Sequence, residues 1–329
     1  MTEALDFHSK LKGKIGISSK VEIKTKKDLA LAYTPGVAEP CREIAKDKTL
    51  VYKYTLKGNS LAVVSDGSAV LGLGNIGAEA SLPVMEGKCL IFKQLANIDA
   101  FPICVTTQDA DEIVNIVKNI SPVFGAINLE DIAAPKCFEI EERLKAELDI
   151  PVMHDDQHGT AIVVLAGLIN ALKVTQKKKE TARVIINGSG AAGIAVGKML
   201  LKYGFGDVTL CDRAGMIYDG RHEDMNTYKV QMSKYTNLQK RKGNVHEAIV
   251  GADIFIGLSA PNLLTADDVK KMNHPIIFGF MMKPAVHLDP TLLFLGQCDI
   301  ECFFNYFQNL QHVLRVNAEM GKFVLTIDL

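Results

Sequence analysis

The chain has 329 residues, 48 % of them apolar, with 37 basic against 38 acidic side chains. That length accommodates one large or two medium domains, and the near-neutral balance excludes the electrostatic footprint of a protein that binds nucleic acid or an anionic membrane. The start, MTEALDFHSK, lacks a hydrophobic signal core. The apolar stretch AIVVLAGLINAL at 161–172 contains Asn170 and is too short to span a bilayer. Seven cysteines without a Cys-x-x-Cys pair suit reduced thiols. A soluble, cytoplasmic protein is expected.

Apolar runs alternate with amphipathic segments, the pattern of an α/β fold with a largely parallel sheet. LAVVSD (61–66) reads as a strand, LPVMEGKCLIFKQLA as a helix and AFPICVTT (100–107) as the next strand. QDADEIVNIVKNI (108–120) sets Ile113, Ile116, Val117 and Ile120 on one helical stripe behind an acidic first turn. FGAINLEDI (124–132) is a strand entering a loop, PKCFEIEERLKAEL (135–148) a helix opened by proline, and IPVMHDD (150–156) a strand. QHGTAIVVLAGLINALKVT then reads as a long buried helix, and KKKE as a polar break in which Lys177, Lys178 and Lys179 are solvated. ARVIINGSG, AAGIAVGKMLLKYG and DVTLCD follow as strand, helix and strand, with Cys211 a packing residue in the last. The pattern divides the chain into domains at 1–157 and 158–329.

Two glycine runs of the form Gly-x-Gly-x-x-Gly occur, and their contexts differ. Gly188, Gly190 and Gly193 follow the strand RVIIN and open a helix at Ala191, and Asp212 closes the next strand. That is the context of a dinucleotide-binding loop, with Ser189, Ala191 and Ala192 supplying backbone N–H groups around a pyrophosphate. Asp212 suits a ribose diol and NAD, whereas Arg213 suits a 2′-phosphate and NADP, so the coenzyme remains open between the two. The run Gly72, Gly74, Gly77 is followed by a strand ending in threonines rather than an acid. Its glycines read as a close backbone approach within a cleft, leading to Lys88, which by spacing alone is an ordinary surface lysine.

Glu130 and Asp131 stand together at one strand end, Asp155 and Asp156 at another. Strand ends on one edge of a parallel sheet face a common crevice, where such carboxylates make an oxygen-only site suited to Mg²⁺ or Mn²⁺. The alternative is a set of helix caps and exposed acids, with Asp156 capping a helix that begins near Gly159. His154 and His158 lack a third ligand at a zinc spacing and read as local hydrogen-bonding residues.

YTPGVAEPC (33–41), SDGSAVLGLGNIG (65–77), PVMEGK (83–88), NLEDI (128–132), HDDQHGTA (154–161) and GSGAAG, in this order, closely resemble malic enzyme in its small bacterial-type form. The resemblance runs from about residue 7 to about 278 and includes IYDGRHEDMNTYK. It implies an N-terminal malic-type α/β domain followed by a Rossmann-like NAD(P)-binding domain, assembled as a homodimer. The implied reaction is oxidative decarboxylation of L-malate to pyruvate and CO₂ with reduction of NAD or NADP, dependent on Mg²⁺ or Mn²⁺. Carried over by position, Tyr33 is the general acid and Lys88 the general base. Asp155 is the partner of Lys88; Glu130, Asp131 and Asp156 are the metal ligands. Gly74, Asn75 and Gly77 approach cofactor or substrate.

After PIIFGF the resemblance stops. Met282 or Lys283 stands where the family has an asparagine, and FQNLQHVLRV (307–316) only echoes its asparagine-rich segment. The cluster Phe303, Phe304, Tyr306 and Phe307 has no clean period. Residues 282–329 are therefore atypical, accounted for equally by an altered reading frame and by divergence. They leave a second reading open, a catalytically impaired relative that binds nucleotide and metal. A malate dehydrogenase fits less well, because it needs no metal triad and commonly relies on a histidine base.

Overall fold

The computed structural model describes residues 2–70, 72–259, 263–273, 275–279 and 323–326. Its chain forms two compact units, one ending at His154 and one beginning at Asp155. The expectations attached to Met282, Lys283, the aromatic cluster at 303–307 and the segment 307–316 lie outside the described residues.

The first unit opens with helices α1 (Glu3–Leu11), α2 (Lys26–Ala32), α3 (Ala38–Lys46) and α4 (Val51–Tyr54). None of the four contains a fully buried residue, so local caps define them more than core packing does. At α2 the cap is reciprocal: Thr25 accepts from the Asp28 amide while the Asp28 carboxylate accepts from the Thr25 amide. The sheet follows with β1 (Ser60–Ser65), α5 (Ala78–Ala96), β2 (Asp99–Cys104), α6 (Ala110–Ile120), β3 (Ala126–Leu129), α7 (Lys136–Glu147) and β4 (Val152–His154). Its strands are all parallel, in the order β2-β1-β3-β4. Parallel strands covered on both faces require nearly unbroken apolar runs, and β1 is buried at every position. Met85 and Cys89 of α5 pack on Leu61 and Val63 of β1, while α6 turns Ile113, Val114 and Val117 inward. The neighbours of β1 lie on opposite sides of it. The loops that leave β1 and β3 therefore flank a switch point, where parallel sheets open a crevice.

Helix α8 (Asp155–Thr175) continues directly from β4. It starts before the position expected from the sequence, so Asp155 and Asp156 form its first turn and Asp156 is not a cap for a helix beginning at Gly159. Nor is it buried all round. Gln157, Ala161, Val164, Leu168, Ala171 and Leu172 make one buried stripe, and Ile162 is 54 % exposed. Its 21 residues are long and apolar enough, by length and composition, to cross a membrane, which corrects the shorter span read from the apolar run alone. In the fold the helix packs along α9 (Ala191–Tyr203), the helix after β5 (Arg183–Asn187).

The second sheet is completed by β6 (Asp207–Asp212), β7 (Gly215–Met216), α10 (Thr227–Ser233), α11 (Val245–Ala248), β8 (Ile254–Gly257), α12 (Ala266–Lys270), β9 (Ile276–Gly279) and β10 (Phe323–Thr326). Its order is β10-β9-β8-β5-β6-β7, and only the β6–β7 pair is antiparallel. Strand β5 again has its neighbours, β6 and β8, on opposite sides, which puts the second glycine loop at a switch point. Cys211 is buried with Ile185, Phe255 and Met272, and burial pushes its thiol up to about 12, as a packing cysteine requires. The lysine run departs from expectation. Lys177 Nζ lies 2.5 Å from Asp253 Oδ1, with side chains only 15 % and 12 % exposed, and Lys179 sits 4.2 Å above the centroid of the Tyr203 ring. Of the three, only Lys178 is exposed.

Candidate active site

The parallel pairing of β3 with β4 sets Leu129 level with His154. One register step further on, Glu130 and Asp131 leave one strand as Asp155 and Asp156 leave the other. One carboxylate oxygen each from Glu130, Asp131 and Asp156 lies within 4.8 Å of the others. Glu130 and Asp131 are 5 % and 3 % exposed. Three carboxylates so close, two of them buried, are a hard donor set that fits Mg²⁺ or Mn²⁺. The set includes neither His154 nor His158.

Several neighbours hold these groups. Asn128 Nδ2 donates to Glu130 Oε2 at 2.8 Å, and Lys88, reaching from α5, places Nζ 3.2 Å from Glu130 Oε1. Asp131 has φ 54°, a left-handed conformation that costs a non-glycine residue of order 1–3 kcal/mol. Its carbonyl accepts from the Ala69 amide at 2.9 Å. Asp155 lies over Gly159: a Cβ there would stand 2.6 Å from Asp155 Oδ1. Asn128 was not singled out in the sequence and Gly159 only as a helix start, although both lie inside the motifs that carry the acids. Tyr33 is the C-cap residue of α2 and is 67 % exposed; nothing among the described residues joins its phenol to the Lys88–Glu130 pair.

The two glycine loops differ in backbone. Gly72, Gly74 and Gly77 all take positive φ, 74°, 76° and 80°, which coils the first loop ahead of α5. The Asn75 amide exchanges hydrogen bonds with the Gln108 side chain, at 3.1 and 2.9 Å. In the second loop, space separates the three glycines. A Cβ on Gly188 would stand 2.8 Å from Leu258 O, one on Gly193 1.7 Å from Gly188 O, and one on Gly190 would have nothing within 4 Å. The outer two close the turn and seat the helix, and the middle one leaves room for a ligand against the backbone. Ser189 is 8 % exposed. Ala191 and Ala192 form the first turn of α9, where helix N–H groups lack intrahelical partners.

Asp212 ends β6 as expected, but its charge is already engaged. Oδ2 lies 2.5 Å from Arg221 Nη2 and 2.8 Å from Lys229 Nζ, and the side chain is 8 % exposed; Oδ1 accepts from the Ala214 amide. Asp212 therefore does not stand as an unpaired acid at the end of the strand. Arg213 is exposed beside it. Arg221 and Lys229 lie in IYDGRHEDMNTYK, a segment matched by resemblance without a role for either.

Comparison with known proteins bears on the same residues. The model of the malic enzyme N-terminal domain matches residues 12–145, and that of the malic enzyme NAD binding domain matches residues 157–289. A bifunctional malic/malolactic enzyme of Bacillus subtilis is 55 % identical over 289 residues, 88 % of this chain and 70 % of the relative. An NAD-dependent malic enzyme of Geobacillus stearothermophilus is 55 % identical over 282 residues, 85 % of this chain and 58 % of the relative. An NADP-dependent malic enzyme of Escherichia coli is 46 % identical over 292 residues, 88 % of this chain but 38 % of the relative. The crystal structure of the NAD-dependent malic enzyme from Thermotoga maritima superposes on this chain with TM-score 0.85, at 48 % identity over 89 % of this chain and 78 % of that one. With both domain models matched in order across most of its length, this chain belongs to the malic enzyme family.

Proposed function

We propose that the chain catalyses oxidative decarboxylation of L-malate to pyruvate and CO₂, with NAD or NADP as oxidant and Mg²⁺ or Mn²⁺ at Glu130, Asp131 and Asp156. The observation that carries this reading is the group of three acids, two of them buried, with a lysine amine 3.2 Å from one of its members. When bound, the cation supplies Lewis-acid polarisation of the substrate oxygen and the nicotinamide supplies the hydride acceptor.

The chain's own residues handle protons. Lys88, in its neutral form, accepts the proton of the malate C2 hydroxyl. After CO₂ departs, the electron pair of the broken C3–C4 bond leaves C3 to be protonated, and Tyr33 delivers that proton. One proton is taken and one given, so the enzyme returns to its starting state when Lys88 releases its proton to solvent and Tyr33 regains one from it. Asp155 holds the Lys88 amine in place. The test is NAD(P)H appearance with malate and Mn²⁺, against Lys88→Ala. Wild type no faster than that variant would favour the impaired relative, a reading motivated by the missing asparagines after residue 280. Oxaloacetate as sole product would point to a simple dehydrogenase.

The working assembly is read as a homodimer in the cytoplasm. Leu5, Phe7, Ile17, Val21 and Leu31 are 53–94 % exposed on the opening segment, and an apolar surface of that kind is a candidate for contact with a second copy. The five described cysteines are free thiols, as a reducing compartment favours. Sedimentation equilibrium checks the dimer; a monomer at micromolar concentration would remove it.

A further inference from the structure

We propose that Asp66 and Lys136 are positioning residues for Asp131, acting through the glycine loop that leaves β1. The inference rests on the reading of Glu130, Asp131 and Asp156 as a cation site, and assigns two residues outside that set to its geometry.

Asp66 directly follows β1 and is 1 % exposed. Its Oδ2 lies 2.5 Å from Lys136 Nζ, and the lysine side chain is 22 % exposed. Its Oδ1 accepts from the Ser68 amide at 2.9 Å. From there the contacts cross to the loop that leaves β3. Ser68 Oγ accepts from the Ala133 amide at 2.9 Å, and the Ala69 amide donates to the Asp131 carbonyl at 2.9 Å. Lys136, the first residue of α7, begins where that loop ends. Asp66 and Lys136 thus close a ring around residues 131–133: carboxylate to Ser68, Ser68 to Ala133, along the chain to Lys136, and back to the carboxylate. Lys136 also donates to Gln108 O at 3.1 Å, and Gln108 holds Asn75 on the far side of the glycine loop.

A buried ion pair is weak evidence for stability, because desolvation offsets most of its attraction. Asp131 gives this pair another use. Its left-handed backbone is held where the surroundings over-determine it, and the Ala69 bond is one contact that does so. Gly67 shows how tightly the loop is drawn: at φ 64°, its Cβ would lie 2.2 Å from Gly77 O. With the Lys136 charge removed, the Asp66 carboxylate is left buried without its counter-ion and turns toward solvent. The Ser68–Ala69 turn then loosens, and Asp131 relaxes away from the other two acids.

The experiment measures Mn²⁺ binding to the full chain by electron paramagnetic resonance of the free ion, without malate or coenzyme. The variants are Asp66→Asn, Lys136→Met and Lys136→Arg, with Asp131→Asn and Asp156→Asn as ligand controls; circular dichroism checks folding. Asp66→Asn and Lys136→Met are expected to raise the Kd for Mn²⁺ by about tenfold or more, the usual cost of losing an outer-shell support. Lys136→Arg, which keeps a cation, is expected to restore most of the affinity, a rescue that a general loss of stability would not show. Wild-type affinity in both charge variants, with binding lost in the ligand controls, overturns the proposal and leaves the cation site standing. Wild-type affinity in the ligand controls overturns both. Should the charge variants melt below the assay temperature, Ser68→Ala removes only the acceptor of Ala133. Weaker Mn²⁺ binding there supports the ring; unchanged binding overturns it.

Discussion

Gly159 leaves space in the first turns of α8 for the Asp155 carboxylate, so a substitution there separates stability from activity. Gly159→Ala raises helix propensity by about 1 kcal/mol while its Cβ enters space 2.6 Å from Asp155 Oδ1. The expected variant melts no lower than wild type yet turns over malate about tenfold or more slowly, as a displaced positioning group does. Equal kcat in the two proteins would show that Asp155 acts just as well from elsewhere. The second glycine loop makes a paired prediction. Gly190→Ala should fold normally and bind NADH weakly, since space around Gly190 is open. Gly193→Ala should lower the melting temperature, since its Cβ would collide with the Gly188 carbonyl. Fluorescence titration and calorimetry distinguish the two, and coenzyme affinity retained in Gly190→Ala would count against the loop's role.

At the scale of elements, caps and buried pairs join segments that are far apart in the chain. Asp268, in the first turn of α12, receives the Thr265 amide and hydroxyl and lies 2.9 Å from His246 Nδ1 on α11. Burial works against its ionisation, but these bonds prevail and hold its carboxyl at about 2, below the ordinary 3.8. A carboxyl depressed in the folded state stabilises fully above its unfolded value and loses that contribution as pH falls through its folded one. Acid unfolding between about pH 4 and pH 2 should therefore be shallower in Asp268→Asn than in wild type, with the two curves differing by a constant offset above that window. Parallel curves within it would mean that Asp268 titrates alike in both states. The alternating strands and helices from β1 to β6 were legible from periodicity and turn residues, and β1, α5, α6, α7 and α9 stand close to where the pattern put them, whereas α1 to α4 and the elements after β6 were not read. The beginning of α8 was not, because aspartates serve equally as caps and as first-turn residues beside the helix dipole.

For the molecule as a whole, ligand linkage gives the simplest check on the acid group. A cation that binds only the folded chain stabilises it by about 2.7 kcal/mol at a hundredfold excess over Kd. Mn²⁺ should raise the melting temperature, EDTA should reverse the rise, and Asp156→Asn should abolish it. An equal rise in that variant would place the bound ion elsewhere. The reason for two glycine runs also appears only at this scale. Each lies beside the first strand of its sheet, where the neighbouring strands depart to opposite sides, but one coils through positive φ and the other clears a path to backbone amides.

The amino-acid sequence by itself determined the α/β class, the elements from β1 to β6, the glycine loop between β5 and α9 and the acids that fall in the candidate cation set, because these follow from local periodicity, glycine context and motif. Only the tertiary structure decided which charges meet. Lys177 finds Asp253 across 76 residues of chain, Asp212 is engaged by Arg221 and Lys229, and Asp66 reaches Lys136. The physical reason is that a charge in sequence has no partner until the order of strands brings one within a few ångströms, and burial then removes the water that would otherwise serve in its place.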